Sequence, residues 1–306
     1  MKALRFHSYG GPEVLQFDND VPLPEPGEGQ VRLRVAGCGI NPFDWKVREG
    51  IFKDHMPLQL PATVGYEFSG TVEKLGPGVT DVQVGDEVYG NGPGACAEFL
   101  VTSASTLAPK PALMELADSA AIPIAALTAW QSLFEVAKLE SGQRILIHAA
   151  VGGVGSMAVQ LAKWKGAYVI GTASGKNRHL ATELGVDQFV DYTTDRFEDV
   201  VSEVDVVLET IGGDNPVRSL KTLKKGGIEV VLAAAPPTKE AEAEGKRAVA
   251  YSSKPNREQL IQIGNLITDL KITPVIDTVA PFDEAIELLN EVQKGRTVGK
   301  LVVRVS

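Results

Sequence analysis

The stretch Ile145-Leu-Ile-His-Ala-Ala-Val-Gly-Gly-Val-Gly-Ser156 constrains this chain more than any other. A short apolar run reads as a buried strand, a glycine cluster breaks it, and a helical pattern starts at once. Gly152, Gly153 and Gly155 remove side chains where the turn is tightest. That bares backbone N–H groups at a helix N-terminus, which attracts a phosphate. In frame the turn is Ala150-Val151-Gly152-Gly153-Val154-Gly155, an A-x-G-x-x-G form of the dinucleotide fingerprint. Its flanks fit the mechanism: a strand over 144–148, a helix over 154–165 ending at Gly166, and a second strand over 167–172.

The same alternation continues. Strands are expected at 188–191, 205–209, 228–232 and 246–251, and helices at 177–184, 217–223 and 257–270. A helical stretch over 118–137 precedes them, with Pro123 as a break. Apolar strands alternating with helices predict an α/β, Rossmann-type doubly wound parallel sheet over 113–270. Residues 1–112 differ. Val31, Leu33 and Val35 alternate with Arg32 and Arg34, and short apolar runs are punctuated by glycine and proline, as in a compact β-barrel. The tail, with strands near 274–279 and 301–305 around a helix at 282–293, is expected to pack back onto that barrel. The β-domain would then be discontinuous, 1–112 with 271–306.

Bulk properties narrow the partners. The 306 residues carry a formal net charge of -9, so no broad basic surface is available for nucleic acid or an anionic membrane. The most apolar stretch, 120–130, is too short to cross a bilayer and contains Pro123. Two cysteines, Cys38 and Cys96, are too few for a disulfide scaffold, and the first residues lack a signal-peptide core. A cytoplasmic protein acting on a small molecule is expected.

The end of the second strand selects the cofactor. NAD sites usually place an acid there; here the run is Gly171-Thr-Ala-Ser174-Gly-Lys176-Asn-Arg178. A hydroxyl and two cations hold a 2′-phosphate, so Ser174, Lys176 and Arg178 favour NADPH. Tyr192 after the third strand either lies against the adenine or is ordinary surface packing. Thr210 and Ala233, after the fourth and fifth strands, are expected to reach the nicotinamide half.

These segments, with Gln160-Leu-Ala-Lys, Gly185-Val-Asp-Gln-Phe-Val-Asp-Tyr192 and Gly299-Lys300-Leu-Val-Val, resemble the medium-chain dehydrogenase/reductase superfamily. Gly39-Ile-Asn-Pro-Phe-Asp44, Gly65-Tyr-Glu-Phe-Ser-Gly70 and Val84-Gly-Asp-Glu-Val-Tyr-Gly90 resemble its quinone oxidoreductase (zeta-crystallin-like) branch. The likeness runs nearly the full length in one order. It implies a GroES-like catalytic domain, a Rossmann domain with the cofactor in the cleft between them, Lys300 among the cofactor-binding residues, and a homodimer formed through the edge strand at 246–251.

Zinc-dependent members place a ligating Cys where Asn41 stands and a ligating His where Tyr66 stands, and neither replacement offers a thiolate or imidazole. No metal is expected. Without a Lewis acid, alcohol oxidation is hard, and reduction of a quinone or an α,β-unsaturated carbonyl is easier. Asn41, Asp44, Tyr66 and Thr128 are the catalytic candidates: Asn41 and Thr128 to hydrogen-bond nicotinamide or substrate, Tyr66 to donate a proton unless solvent does. The plainer readings are a turn at Asn41-Pro42 and a helix cap at Asp44. The alternatives are an enoyl-thioester reductase of the same superfamily and a non-catalytic NADPH-binding structural or sensor protein.

Overall fold

The computed structural model describes residues Met1–Ser306. The chain forms two compact units: 1–124 with 255–268 and 276–306, and 125–254 with 269–275.

The first unit begins with β1 (Ala3–Phe6), β2 (Leu15–Asp18) and β3 (Gln30–Ile40). A short helix, α1 (Pro42–Arg48), follows β3 directly. Then come β4 (Ala62–Thr63), β5 (Glu67–Leu75), β6 (Glu87–Asn91), β7 (Phe99–Ser103) and β8 (Ala108–Pro109). The alternation read at residues 31–35 is that of β3, the long central strand. It pairs antiparallel with both β5 and β7.

The second unit opens within α2 (Pro123–Trp130), which runs into a π-helical turn at Gln131–Val136. Its strands are β9 (Arg144–Ile147), β10 (Tyr168–Ala173), β11 (Gln188–Asp191), β12 (Val204–Glu209), β13 (Leu223–Val231) and β14 (Arg247–Ala250). Between them lie α3 (Gly153–Lys165), α4 (Arg178–Glu183), α5 (Phe197–Val200), α6 (Asn215–Ser219) and α7 (Thr238–Ala243). All pairings are parallel, in the order β11-β10-β9-β12-β13-β14. Counted from β9, that is the 3-2-1-4-5-6 order of a doubly wound dinucleotide-binding sheet. One apolar core, including Leu146, Ile170, Val190, Val207 and Leu220, supports it.

The chain then returns to the first unit with α8 (Arg257–Thr268), β15 (Ile276–Pro281), α9 (Ala285–Gln293) and β16 (Lys300–Arg304). The larger sheet there reads β15-β16-β3-β5-β6-β8, with β7 also on β3, and a smaller one reads β2-β1-β4. Leu4, Leu33, Val35, Phe68, Val72 and Leu301 belong to the core the two sheets share.

The first unit takes in 113–124 and 255–268 beyond the boundaries of 112 and 271 drawn from sequence, and leaves 271–275 to the other unit. The 3₁₀ turn Ala117–Ala121 lies against β3 and β5, where Ser69 Oγ donates to the Ala117 carbonyl at 3.3 Å. Helix α8 is held by the buried Tyr89 hydroxyl, which donates to the Leu260 carbonyl at 2.6 Å. Apolar texture alone assigned both segments to the α/β part. Pro123 breaks the helical stretch as expected: it separates the 3₁₀ turn Ala117–Ala121 from α2 and starts the latter, where a first-turn proline lacks only an N–H that would be unpaired anyway.

Candidate functional site

In the α/β unit, the glycine turn joins β9 to α3. Gly152 caps α3 in an extended conformation and no side chain occupies the cap, so the first-turn N–H groups are left for an external anion. Ala150 is buried and donates to the Thr172 carbonyl at 2.9 Å, which ties the turn to β10. Gly155 is the close-approach position: a Cβ there would sit 2.0 Å from the Ala149 carbonyl oxygen. Gly153 and Val154 lie half-exposed in the first turn of the helix.

Beyond β10, Ser174 and Lys176 lie on the 3₁₀ turn that leads into α4. Lys176 is exposed, and Ser174 is half-buried with its hydroxyl accepting from Asn177 Nδ2 at 3.2 Å. Arg178 stacks with its guanidinium carbon 4.3 Å from the centre of the Phe189 ring. An acid that was invisible locally also arrives here. Asp191, from the end of β11, accepts from the Thr193 hydroxyl at 2.6 Å and from its N–H at 3.0 Å. Those bonds, with the Gly175 backbone and the Arg178 charge, hold its carboxyl below the ordinary range. Arg178 therefore offsets Asp191 in part, and Lys176 is the exposed cation of the turn between them.

Tyr192 is 61% exposed. Thr210 donates through Oγ1 to the His148 carbonyl at 2.9 Å. Ala233 is exposed on the loop after β13. Thr128 is buried on α2 and donates to Ser253 Oγ at 2.9 Å.

Below these loops the sheet carries buried polar groups. His148 bridges Thr172 Oγ1 at 3.2 Å and Ser219 Oγ at 3.0 Å, and burial pushes its pKa down to about 4, leaving it neutral. Glu229, fully buried on β13, makes no side-chain hydrogen bond of normal geometry. Burial and the nearby Glu209 push its pKa up to about 8. Sequence reading passed over Glu229 because it stands within an apolar run.

The β-rich unit brings Asn41, Asp44, Tyr66 and Lys300 together. Asn41 caps α1, and the Asp44 carboxylate accepts the Asn41 N–H at 2.7 Å, the return half of a capping box. The capping reading of Asp44 is thus satisfied, yet its environment is unusual. Asp44 is 2% exposed and its Oδ1 has no partner. Burial pushes its pKa up to about 7, against the pull of the Asn41 N–H and of Lys300. Tyr66 packs edge-on against Phe43, with ring centres 4.8 Å apart, and burial with Asp44 nearby raises its phenol to about 12. A phenol so shifted keeps its proton and is a poor acid, which weighs against Tyr66 as the proton donor.

Lys300 differs most from expectation. Read as a cofactor-binding residue, it is instead buried, and its ammonium donates to the Ile40 carbonyl at 3.0 Å, to Asn41 Oδ1 at 2.6 Å and to Glu67 Oε1. Three acceptors use its three donors, so none is left for a phosphate. Asn41 is equally committed. Its Nδ2 donates to Glu67 Oε1 at 2.8 Å, which fixes the amide orientation and turns its N–H toward Glu67 instead of a substrate carbonyl. Glu67, missed in sequence, closes the network by accepting the Ile124 N–H on Oε2 at 2.8 Å. The signal for it was an acid inside the β5 run beside Tyr66.

This donor set does not fit a zinc ion. A carboxamide, a phenol and a carboxylate already paired with an ammonium replace thiolate and imidazole, and a dication would face the Lys300 charge. No three His, Cys, Asp or Glu side chains converge into a metal cluster.

A doubly wound dinucleotide sheet, joined to a discontinuous β-rich unit through this chain order, defines a medium-chain dehydrogenase/reductase. Family models agree: residues 27–112 match the alcohol dehydrogenase GroES-like domain and 184–303 match a zinc-binding dehydrogenase. The chain is 35% identical to a tomato (Solanum lycopersicum) 2-methylene-furan-3-one reductase, over 99% of this chain and 79% of that one. It is 34% identical to the chloroplastic NADPH-dependent alkenal/one oxidoreductase of Arabidopsis thaliana, with the same coverage. The structure of quinone oxidoreductase from Coxiella burnetii superposes with a TM-score of 0.91 at 33% identity, covering 100% of this chain and 99% of that one. That of the Escherichia coli quinone oxidoreductase complexed with NADPH gives 0.90 at 26%, covering both chains fully. The chain belongs to the medium-chain dehydrogenase/reductase superfamily and, within it, to the quinone oxidoreductase branch.

Proposed function

We propose that this chain is an NADPH-dependent reductase that delivers hydride to a quinone or an α,β-unsaturated carbonyl, without zinc. The observation that carries the reading is the buried Lys300–Glu67–Asn41 network, which places a tethered ammonium among the groups that would otherwise hold a metal. With no Lewis acid to acidify an alcohol, the favourable direction is reduction of an acceptor already electron-poor. NADPH, when bound, supplies the hydride.

The chain's own residues bind and position. Ala150, Gly152, Gly153, Val154 and Gly155 present backbone N–H groups to the pyrophosphate. Ser174 and Lys176 take the 2′-phosphate with Arg178 at its margin, and Tyr192 covers the adenine. Thr210 and Ala233 border the nicotinamide half, and Thr128 offers a hydroxyl on α2. Asn41 and Lys300 act as a rigid support instead of touching substrate or cofactor. The proton that completes the reduction comes from solvent, since Tyr66 is too weak an acid to supply it readily. The active form is a homodimer joined along the β14 edge, and it works in the cytoplasm. No helix of the chain is long and apolar enough to cross a membrane.

The test is NADPH oxidation by the chelator-treated enzyme with quinones, alkenals, enones and enoyl thioesters. Turnover is expected with quinones or enones. Selective turnover of enoyl thioesters would replace the substrate class, and tight NADPH binding without any turnover would make this a binding protein.

A further inference from the structure

Cys38 and Cys96, 58 positions apart in sequence, are the only cysteines of the chain, and the fold brings them into contact. Their sulfurs lie 2.7 Å apart, and both residues are fully buried. That is closer than the ~3.5–4.0 Å at which nonbonded carbon atoms rest. It is about 0.7 Å beyond the ~2.05 Å of a disulfide bond.

Their surroundings connect them to the candidate site. Cys38 lies on β3, three residues before Asn41. Cys96 donates its N–H to the Val64 carbonyl at 2.8 Å, two residues before Tyr66. Gly65 lies directly over the pair: a Cβ there would stand 2.7 Å from Cys38 Sγ and 3.0 Å from Cys96 Sγ. Its φ of +93° also suits glycine. The chain thus keeps this position bare where two thiols need the room.

We propose that Cys38 and Cys96 form an oxidative modification site, which a peroxide converts into an intramolecular disulfide tying the strand before Asn41 to the stretch between β6 and β7 that is hydrogen-bonded to Val64. The first peroxide oxygen oxidises one thiol to a sulfenic acid, with its other oxygen leaving as water. The second sulfur then displaces the sulfenic oxygen as a second water and closes the S–S bond, so two electrons pass from the pair to the peroxide. Burial raises the Cys38 thiol well above its ordinary range, with Cys96, Asp44 and Glu67 adding to the effect. Thiolate is therefore scarce and the reaction slow, and the same burial shields the bond from reductants once it has formed.

The test is intact and peptide mass analysis of the folded enzyme after timed exposure to hydrogen peroxide. Expected is a loss of about 2 Da per chain, with the Cys38 and Cys96 peptides linked, that dithiothreitol reverses once the oxidised chain is unfolded. Cys38→Ala and Cys96→Ala should each abolish that loss; if either fails to fold, the wild-type peptide map decides alone. Oxygen addition at one cysteine without linkage, disulfides only between chains, or linkage only after urea unfolding would each overturn the proposal.

Discussion

Two buried carboxyls, Asp44 and Glu229, are displaced in the same sense. Asp44 is raised to about 7 and Glu229 to about 8, each chiefly by burial. A carboxyl whose folded pKa exceeds its unfolded value favours folding fully below the unfolded pKa, and this is lost as pH rises through the folded one. For Glu229 the window runs from 4.5 to about 8. Glu229→Gln should remove the loss and raise Tm at pH 8 by roughly 5 °C, with the gain gone near pH 4.5. Thermal melts across pH check this; a gain of equal size at both ends would show that the charge is not responsible. Asp44→Asn keeps an oxygen for the Asn41 N–H and should flatten the stability change between 3.8 and about 7. At the cofactor's 2′-phosphate, Lys176→Ala should raise the NADPH Kd roughly tenfold and leave NADH unchanged. Arg178→Ala should do less, since that charge also faces Asp191. Equal losses for both cofactors would refute the assignment, and isothermal titration reads the difference.

At the scale of elements, the glycine turn and the helix after it are the part on which cofactor binding depends most. Gly155→Val would drive side-chain atoms into the Ala149 carbonyl, parting α3 from the turn. It should cost at least about 2 kcal/mol of stability and reduce NADPH affinity more than a hundredfold, as denaturant melts and binding titrations would show. This region was legible in sequence because strand, turn and helix are local patterns. Residues 188–191 form β11 as expected, and 154–165 fall within α3. What escaped was long-range. The 58-residue separation of Cys38 and Cys96, and the reach of Lys300 across 233 residues to Glu67, leave no periodic trace. Asp191 shows the same limit, since the missing acid at the end of β10 was a local fact while β11 brought one in. The segment at 113–124 went to the wrong neighbour because composition cannot say which sheet an apolar turn packs against.

For the whole molecule, the six-stranded parallel sheet ends at β14, whose outer edge is unpaired within the chain. Pairing of two such edges would cover it, so sedimentation equilibrium should give twice the 32.6 kDa chain mass. A 32.6 kDa particle at micromolar concentration would refute the dimer. Isotope tracing reads the direction and route of hydride transfer. An enone should be reduced with NADPH deuterated at the nicotinamide C4, each face in turn, and the product analysed by mass spectrometry and NMR. Deuterium from one face should appear at the β-carbon, and the α-carbon hydrogen should come from solvent. A product whose β-hydrogen comes from solvent with either labelled cofactor would contradict this route.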